Sequence, residues 1–144
     1  MKRFVSGRLL AAGVVALVLT MSASVRSDQK SGDPSTSDQM IEGLVRDVSC
    51  AIQDKQSTAT DFNIQCALQC AKNGSPLIIL SKDGVIYTPI SDSTPDKDQR
   101  QRLMPFVGKY VKVTGKVYER TGTHAIAISQ ITEMKDMHLV TDQP

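Results

Sequence analysis

Apolar and polar positions alternate most regularly between Lys109 and Arg120, where Val111, Val113, Gly115 and Val117 share one face and Lys112, Thr114, Lys116 and Tyr118 the other. A period of two marks a strand buried on one side. A turn at Arg120-Thr121-Gly122 leads to a partner strand over Thr123 to Ile131, in which Ile126 and Ile128 alternate with alanines. Upstream, Pro76-Leu-Ile-Ile-Leu-Ser81 is a short apolar run, Lys82-Asp83-Gly84 a turn and Val85-Ile86-Tyr87 the returning strand, together predicting a tight hairpin. Met40 to Val48 sets Ile41, Leu44, Val45 and Val48 around Gly43, the pattern of a curved first strand that delivers Cys50 at its end.

Two stretches follow a helical rhythm instead. Between Asp61 and Gly74, the residues Ile64, Ala67, Leu68 and Ala71 recur at i, i+3, i+4 and i+7, a core-facing stripe. Asp61 or Thr60 is the expected N-cap, Lys72 falls in the last turn, and Asn73-Gly74 followed by Pro76 is the stop. In the polar stretch Ser91 to Asp98, Thr94-Pro95 predicts an N-cap with proline at the first helical position, and Asp96 and Asp98 read as first-turn charges. That short helix is expected to end near Met104-Pro105, with Leu103, Met104 and Phe106 plugging a core. No internal repeat is visible.

The order strand, strand, strand, short helix, strand, strand over residues 40–133 predicts a mainly β, five-stranded Greek-key barrel. A Cys-bearing helix is inserted between strands one and two, and a short helix precedes strand four. In detail the chain resembles the OB-fold. The segment Leu103-Met104-Pro105-Phe106-Val107-Gly108-Lys109-Tyr110-Val111-Lys112-Val113-Thr114-Gly115-Lys116-Val117 is similar to the entry into strand four of many OB domains. The resemblance implies a fold and no activity, because one fold hosts many functions. A simple OB domain has a shorter connection where this chain inserts its helix. Gly43-x-Val45, Cys50, Cys66-x-x-x-Cys70 and Gly74-x-Pro76 together resemble a group of small exported bacterial proteins of unassigned function, which implies export.

The N-terminal pattern points to the same compartment. Lys2, Arg3 and Arg8 precede an apolar run from Leu9 to Leu19, and Ser22-Ala23-Ser24 offers a cleavage site, so residues 1–25 read as a signal peptide. The run is shorter than the ~20 apolar residues a membrane span needs, which predicts no stable span after cleavage. Residues 26–39 hold no large apolar side chain and read as a disordered linker, and residues 134–144 as a polar C-terminal tail. Removing Lys2, Arg3 and Arg8, with no acid among them, leaves 14 basic against 15 acidic residues. The mature chain is nearly neutral, so its charge gives no argument for nucleic acid or an anionic membrane. A periplasmic or secreted location places the cysteines under oxidising conditions.

All three cysteines fall between Cys50 and Cys70. On a helix, Cys66 and Cys70 lie roughly 130° away from the aliphatic stripe, so they face something other than the main core. Four residues apart, their Cβ atoms stand ~5–6 Å from each other, too far for the ~3.5–4.5 Å of a disulfide. Side chains at i and i+4 do share one face, as paired ligands of one ion must. Three readings stay open. Cys50 pairs with Cys66 or Cys70 as a staple. Alternatively, all three stay reduced and hold a soft ion, copper(I) or zinc(II), as an odd cysteine count allows. In the third, one thiol resolves another in a redox role. Met134, Met137 and His138 are candidate additional ligands.

The rival class is a barrel that binds an oligonucleotide, an oligosaccharide or a protein through Lys112, Lys116, Arg120 and Tyr118 on strand four. Few aromatic residues are present for base stacking, which argues against nucleic acid. There is no C-x-x-C, no C-x-x-C-H, no Gly-x-Ser-x-Gly and no phosphate loop, and His124 reads as an exposed hairpin residue. The expectation is a binding or accessory domain rather than an enzyme, with another exported protein as its candidate partner.

Overall fold

The computed structural model describes residues 38–142. The predicted signal peptide and, apart from Asp38 and Gln39, the predicted linker lie outside the described residues. Five strands close into a barrel: β1 (Gln39–Asp47), β2 (Leu77–Ser81), β3 (Ile86–Ile90), β4 (Tyr110–Arg120) and β5 (Thr123–Glu133). Their order around the wall is β1-β2-β3-β5-β4, with β4 returning to β1. All neighbours are antiparallel except β3 and β5. This is the OB-like Greek-key order that the sequence predicts. Among the described residues, no helix is long and apolar enough to cross a membrane.

Alternation sorts each strand into an inner and an outer face. Val45, Leu77, Ile79, Val111, Val113, Ile126 and Ile128 point inward, where Ala71, Leu103 and Val107 complete a buried cluster. Burying one such side chain contributes about 1.5–3 kcal/mol, so this cluster is the main stabilising unit. A bulge between Thr114 and Gly115 lets the long β4–β5 ribbon bend around the barrel. At Gly115 a Cβ would collide with the carbonyl of Ala127, so the bend is compatible only with glycine.

A second buried cluster lies outside the wall, and it explains why every residue of β2 is buried. Leu44, Ile78, Leu80 and Tyr110 face outward beneath Ala59, Phe62 and Ala67, with Met134, Met137 and Leu139 packed at the margin. Arg46 is buried in the same outward row. Its guanidinium sits 5.8 Å from the Phe62 ring centroid and donates to the Ser57 hydroxyl. The segment between β1 and β2 thus forms a covering layer on one side of the barrel.

Four local expectations are corrected. The first strand ends at Asp47, whose side chain caps a short helix α1 (Val48–Gln53), so Cys50 is helical and the insertion holds two helices rather than one. The second, α2 (Ile64–Lys72), is capped by Asn63 rather than Asp61 or Thr60. Asp61 and Asn63 instead make β-bridges to Val140 and Asp142, so the last residues described close against this loop. The helix before β4 starts at Arg100 (α3, Arg100–Leu103, continuing as a 3-10 turn Met104–Phe106), not at Thr94-Pro95. Ser91 holds the preceding loop, its N–H donating to Asp96 and its hydroxyl accepting from Lys97. Leu103 fills the core as expected, whereas Met104 is 36% exposed.

Candidate metal centre

The two helices of the insertion begin in the same way. Asp47 Oδ1 accepts the Cys50 N–H at 2.8 Å, and Asn63 Oδ1 accepts the Cys66 N–H at 2.7 Å. Each cap satisfies an otherwise orphaned amide and places a cysteine at the third helical position. The chain carries the same Asx-x-x-Cys spacing at both places, a signal in the sequence for caps that apolar periodicity does not reveal.

Both helices are fixed at further points. Val48 N–H donates to the Pro76 carbonyl at 2.9 Å, which ties α1 to the turn leaving α2. The Ser75 N–H reaches the Cys70 carbonyl at 3.1 Å and the Gly74 N–H reaches Ala71 at 3.1 Å, with Gly74 in the left-handed region at φ 95°. Arg100 then donates to the carbonyls of Ser75 and Ala71, so a cation covers the C-terminal end of α2.

These constraints bring Cys50 of α1 onto the face of α2 that carries Cys66 and Cys70. Cys50 Sγ lies 3.0 Å from Cys66 Sγ and 3.7 Å from Cys70 Sγ, and all three sulfurs fall within 4.8 Å of one another. No disulfide links them, and all three are half-buried. A tetrahedral ion with metal–sulfur bonds of about 2.3 Å holds its sulfurs about 3.8 Å apart. The triangle is close to that size, so the residues fit a three-thiolate ion with sub-ångström adjustment.

The electrostatics favour the protonated thiols. Burial, the neighbouring Cys66 thiol and the negative charge of Asp47 push Cys50 up to about 11. Cys70 is also raised, chiefly by its hydrogen bond to Cys50 and then by burial and Asp47. An ion entering the triangle therefore displaces protons.

The remaining candidates do not join the cysteines. Met134 and Met137 pack against the outer apolar cluster, and His138 is exposed. Among the described residues, the three cysteines alone form a group of histidine, cysteine and acidic side chains with ligand spacing. On β4 the lysines are already engaged. Lys112 Nζ is 3.3 Å from Glu42, Lys116 Nζ is 2.9 Å from Asp92, and the Tyr118 hydroxyl donates to Asp92 at 3.4 Å. The Lys116 ammonium holds the Asp92 carboxyl below its usual range and is itself raised. Arg120 sits exposed at the hairpin end.

Comparison of the chain with protein-family models, with curated proteins and with solved structures gives no match.

Proposed function

We propose that this chain is an exported small binding domain, periplasmic or secreted, whose three-cysteine corner takes a soft metal ion, copper(I) or zinc(II). One observation carries the reading: three sulfurs from two separately capped helices converge within 4.8 Å. Structural packing alone does not require three thiols at one point. A metal needs that convergence, and thiolates prefer ions of this softness. The domain then acts as a binder or accessory that holds an ion for another exported protein, with no catalytic step of its own.

The test is elemental analysis and thiol counting on protein recovered from the exported fraction. The reading expects about one copper or zinc per chain and three titratable thiols once the ion is chelated away. Cys70→Ser should lower the affinity by at least about 100-fold, as loss of a primary ligand exceeds the 10–100-fold cost of disturbing its supports. One free thiol, no ion, and no change in Cys70→Ser would overturn it.

The 3.0 Å approach of Cys50 to Cys66 favours a second reading, in which these two form a staple and the barrel face meets an oligosaccharide or protein partner. That reading expects a single free thiol, at Cys70. Its binding face would be the stripe of Lys112, Lys116, Arg120 and Tyr118.

A further inference from the structure

We propose that the cysteine corner carries a second chemistry: it accepts a disulfide bond from low-molecular-weight disulfides, with Cys50 as the resolving thiol for an adduct on either Cys66 or Cys70. The inference uses the three sulfurs in their ion-free state and goes beyond the metal reading above without depending on it. It begins from the asymmetry of the triangle. Cys50 Sγ lies 3.0 Å from Cys66 Sγ and 3.7 Å from Cys70 Sγ. Cys66 and Cys70 are four residues apart on α2. That spacing sets their Cβ atoms ~5–6 Å apart, whereas a disulfide needs ~3.5–4.5 Å. Any disulfide formed within the corner therefore includes Cys50.

The two helices differ in how firmly they are held. The nine residues of α2 include the buried Ala67 and Ala71, with Asn63 capping its start and Arg100 donating to the Ala71 and Ser75 carbonyls at its end. The six residues of α1 include none that is fully buried, and the helix is anchored through the Asp47 cap and the bond from Val48 to Pro76. Closing an S–S bond of about 2.05 Å takes a shift of about 1 Å towards Cys66 or about 1.7 Å towards Cys70. The lightly held α1 supplies that shift. All three thiols are half-buried, so a small disulfide reaches them from solvent.

The reaction balances in two exchanges. First, the Cys66 or Cys70 sulfur attacks one sulfur of an external disulfide R–S–S–R. A protein–S–S–R bond forms, the R–S–S–R bond breaks, and one R–SH leaves with the proton given up by the protein thiol. Cys50 then attacks the protein sulfur of that adduct from inside the corner. The second R–S group departs to solvent with the Cys50 proton. Two protein thiols are oxidised to one disulfide, and the external disulfide is reduced to two thiols. The reaction is stoichiometric, and it dismantles the ion site, because a single thiol remains. A plain structural staple needs only one pair of cysteines. Here the third makes the outcome independent of which α2 thiol is attacked, since both adjoin the same resolving sulfur.

The experiment uses the full chain, reduced, stripped of metal by a chelator and given one equivalent of oxidised glutathione in the absence of oxygen. Cys50→Ser, Cys66→Ser and Cys70→Ser are run alongside, with thermal melts to check their folding. After an acid quench and alkylation, disulfides are mapped by peptide mass and released glutathione is counted. The wild type should release two glutathione thiols per chain and show both Cys50–Cys66 and Cys50–Cys70 disulfides. Cys66→Ser and Cys70→Ser should each still release two. Cys50→Ser should release one and keep the other as an adduct. Its second release should slow about 100-fold, the ratio of a neighbouring thiol's millimolar effective concentration to free thiols at about 10 μM. Adducts that persist in the wild type, a Cys66–Cys70 disulfide, or full release by Cys50→Ser would overturn the role of Cys50. A wild type that forms only Cys50–Cys66, or a folded Cys66→Ser that fails to close, makes the corner a fixed staple and sinks the inference. The wild-type disulfide map reads the partner of Cys50 directly, so the test stays decisive even where a variant does not fold. The metal reading is judged separately, by the ion content of the reduced chain.

Discussion

The β4–β5 ribbon and the cysteine corner are put together in opposite ways. The ribbon is a ladder of two eleven-residue strands interrupted by one bulge, with aliphatic side chains inward and charged ones outward. Its groups are largely partnered: Val113 lies opposite Ile131 and shares a buried cluster with Ile126 and Ile128, Lys116 meets Asp92, and Lys109 meets Glu133 at 2.9 Å. The corner is assembled from two short helices separated by a ten-residue loop, tied by caps rather than by a ladder. It ends with three thiols and one carboxylate oxygen whose bonding capacity is not used up within the chain. Saturated regions hold a fold, whereas convergent unsaturated ones are where a ligand can add free energy.

The sharpest way to break that contrast is to damage the ribbon without touching a thiol. Gly115→Val would place a branched side chain against the Ala127 carbonyl, where no flexible group can yield. It should cost about 3 kcal/mol or more, read as a lower urea midpoint with an unchanged slope. Cys70→Ser, by contrast, should shift the metal-free midpoint by less than about 1 kcal/mol, within the range of a partly exposed substitution. If the two variants destabilise the apo chain equally, the corner is part of the frame and the contrast collapses.

The same contrast governs what the sequence can tell. The ribbon depends on neighbours in the chain, so its alternation and its turn at Thr121-Gly122 are legible in the residues themselves. Thr121 and Gly122 do both adopt positive φ, as a two-residue hairpin turn requires. The shared face of Cys66 and Cys70 is legible for the same reason, since it follows from helical spacing. What the residues do not reveal is set by distant contacts. Val48 to Cys50 has the look of a strand end, yet Asp47 caps it as a helix and Pro76 holds its first amide. The cap of α2 falls at Asn63 rather than Asp61 because residues 61–63 pair with the chain after β5. The Met134 and Met137 side chains read as soft ligands by type, but packing on Leu44 and Phe62 decides their surroundings.

A milder test of the corner is its response to pH in the metal-free state. With its pKa pushed up to about 11, Cys50 holds its proton longer in the folded chain than in the unfolded one. The folded state then binds more protons across that window, so stability from this group is complete below the unfolded value of 9.0 and is lost as pH rises towards 11. Alkylation mapped by peptide mass should follow the same course. At about pH 8, Cys50 should carry roughly 100-fold less thiolate than an ordinary cysteine and react correspondingly slowly. Modification at the rate of an unfolded control would show that the corner is open to water and leaves the thiol unperturbed.

The smallest effect is expected on the ribbon's own candidate face, and its smallness is informative. Lys112 and Lys116 are each paired across the surface and are themselves 43% and 39% exposed, so each pair contributes little beyond solvent-screened attraction. Lys116→Gln should leave the urea midpoint within experimental error of the wild type, and the two should be indistinguishable at about 1 M salt. A lysine whose charge is already met by Glu42 or Asp92 must break that pair before it can hold an anionic ligand, which reduces the net gain from the exchange. Neutralising both lysines should therefore leave metal affinity unchanged in the same titrations in which Cys70→Ser loses it. A loss of carbohydrate or protein binding in the double lysine variant, with the cysteine variants unaffected, would move the functional site from the corner to the ribbon and reverse the comparison.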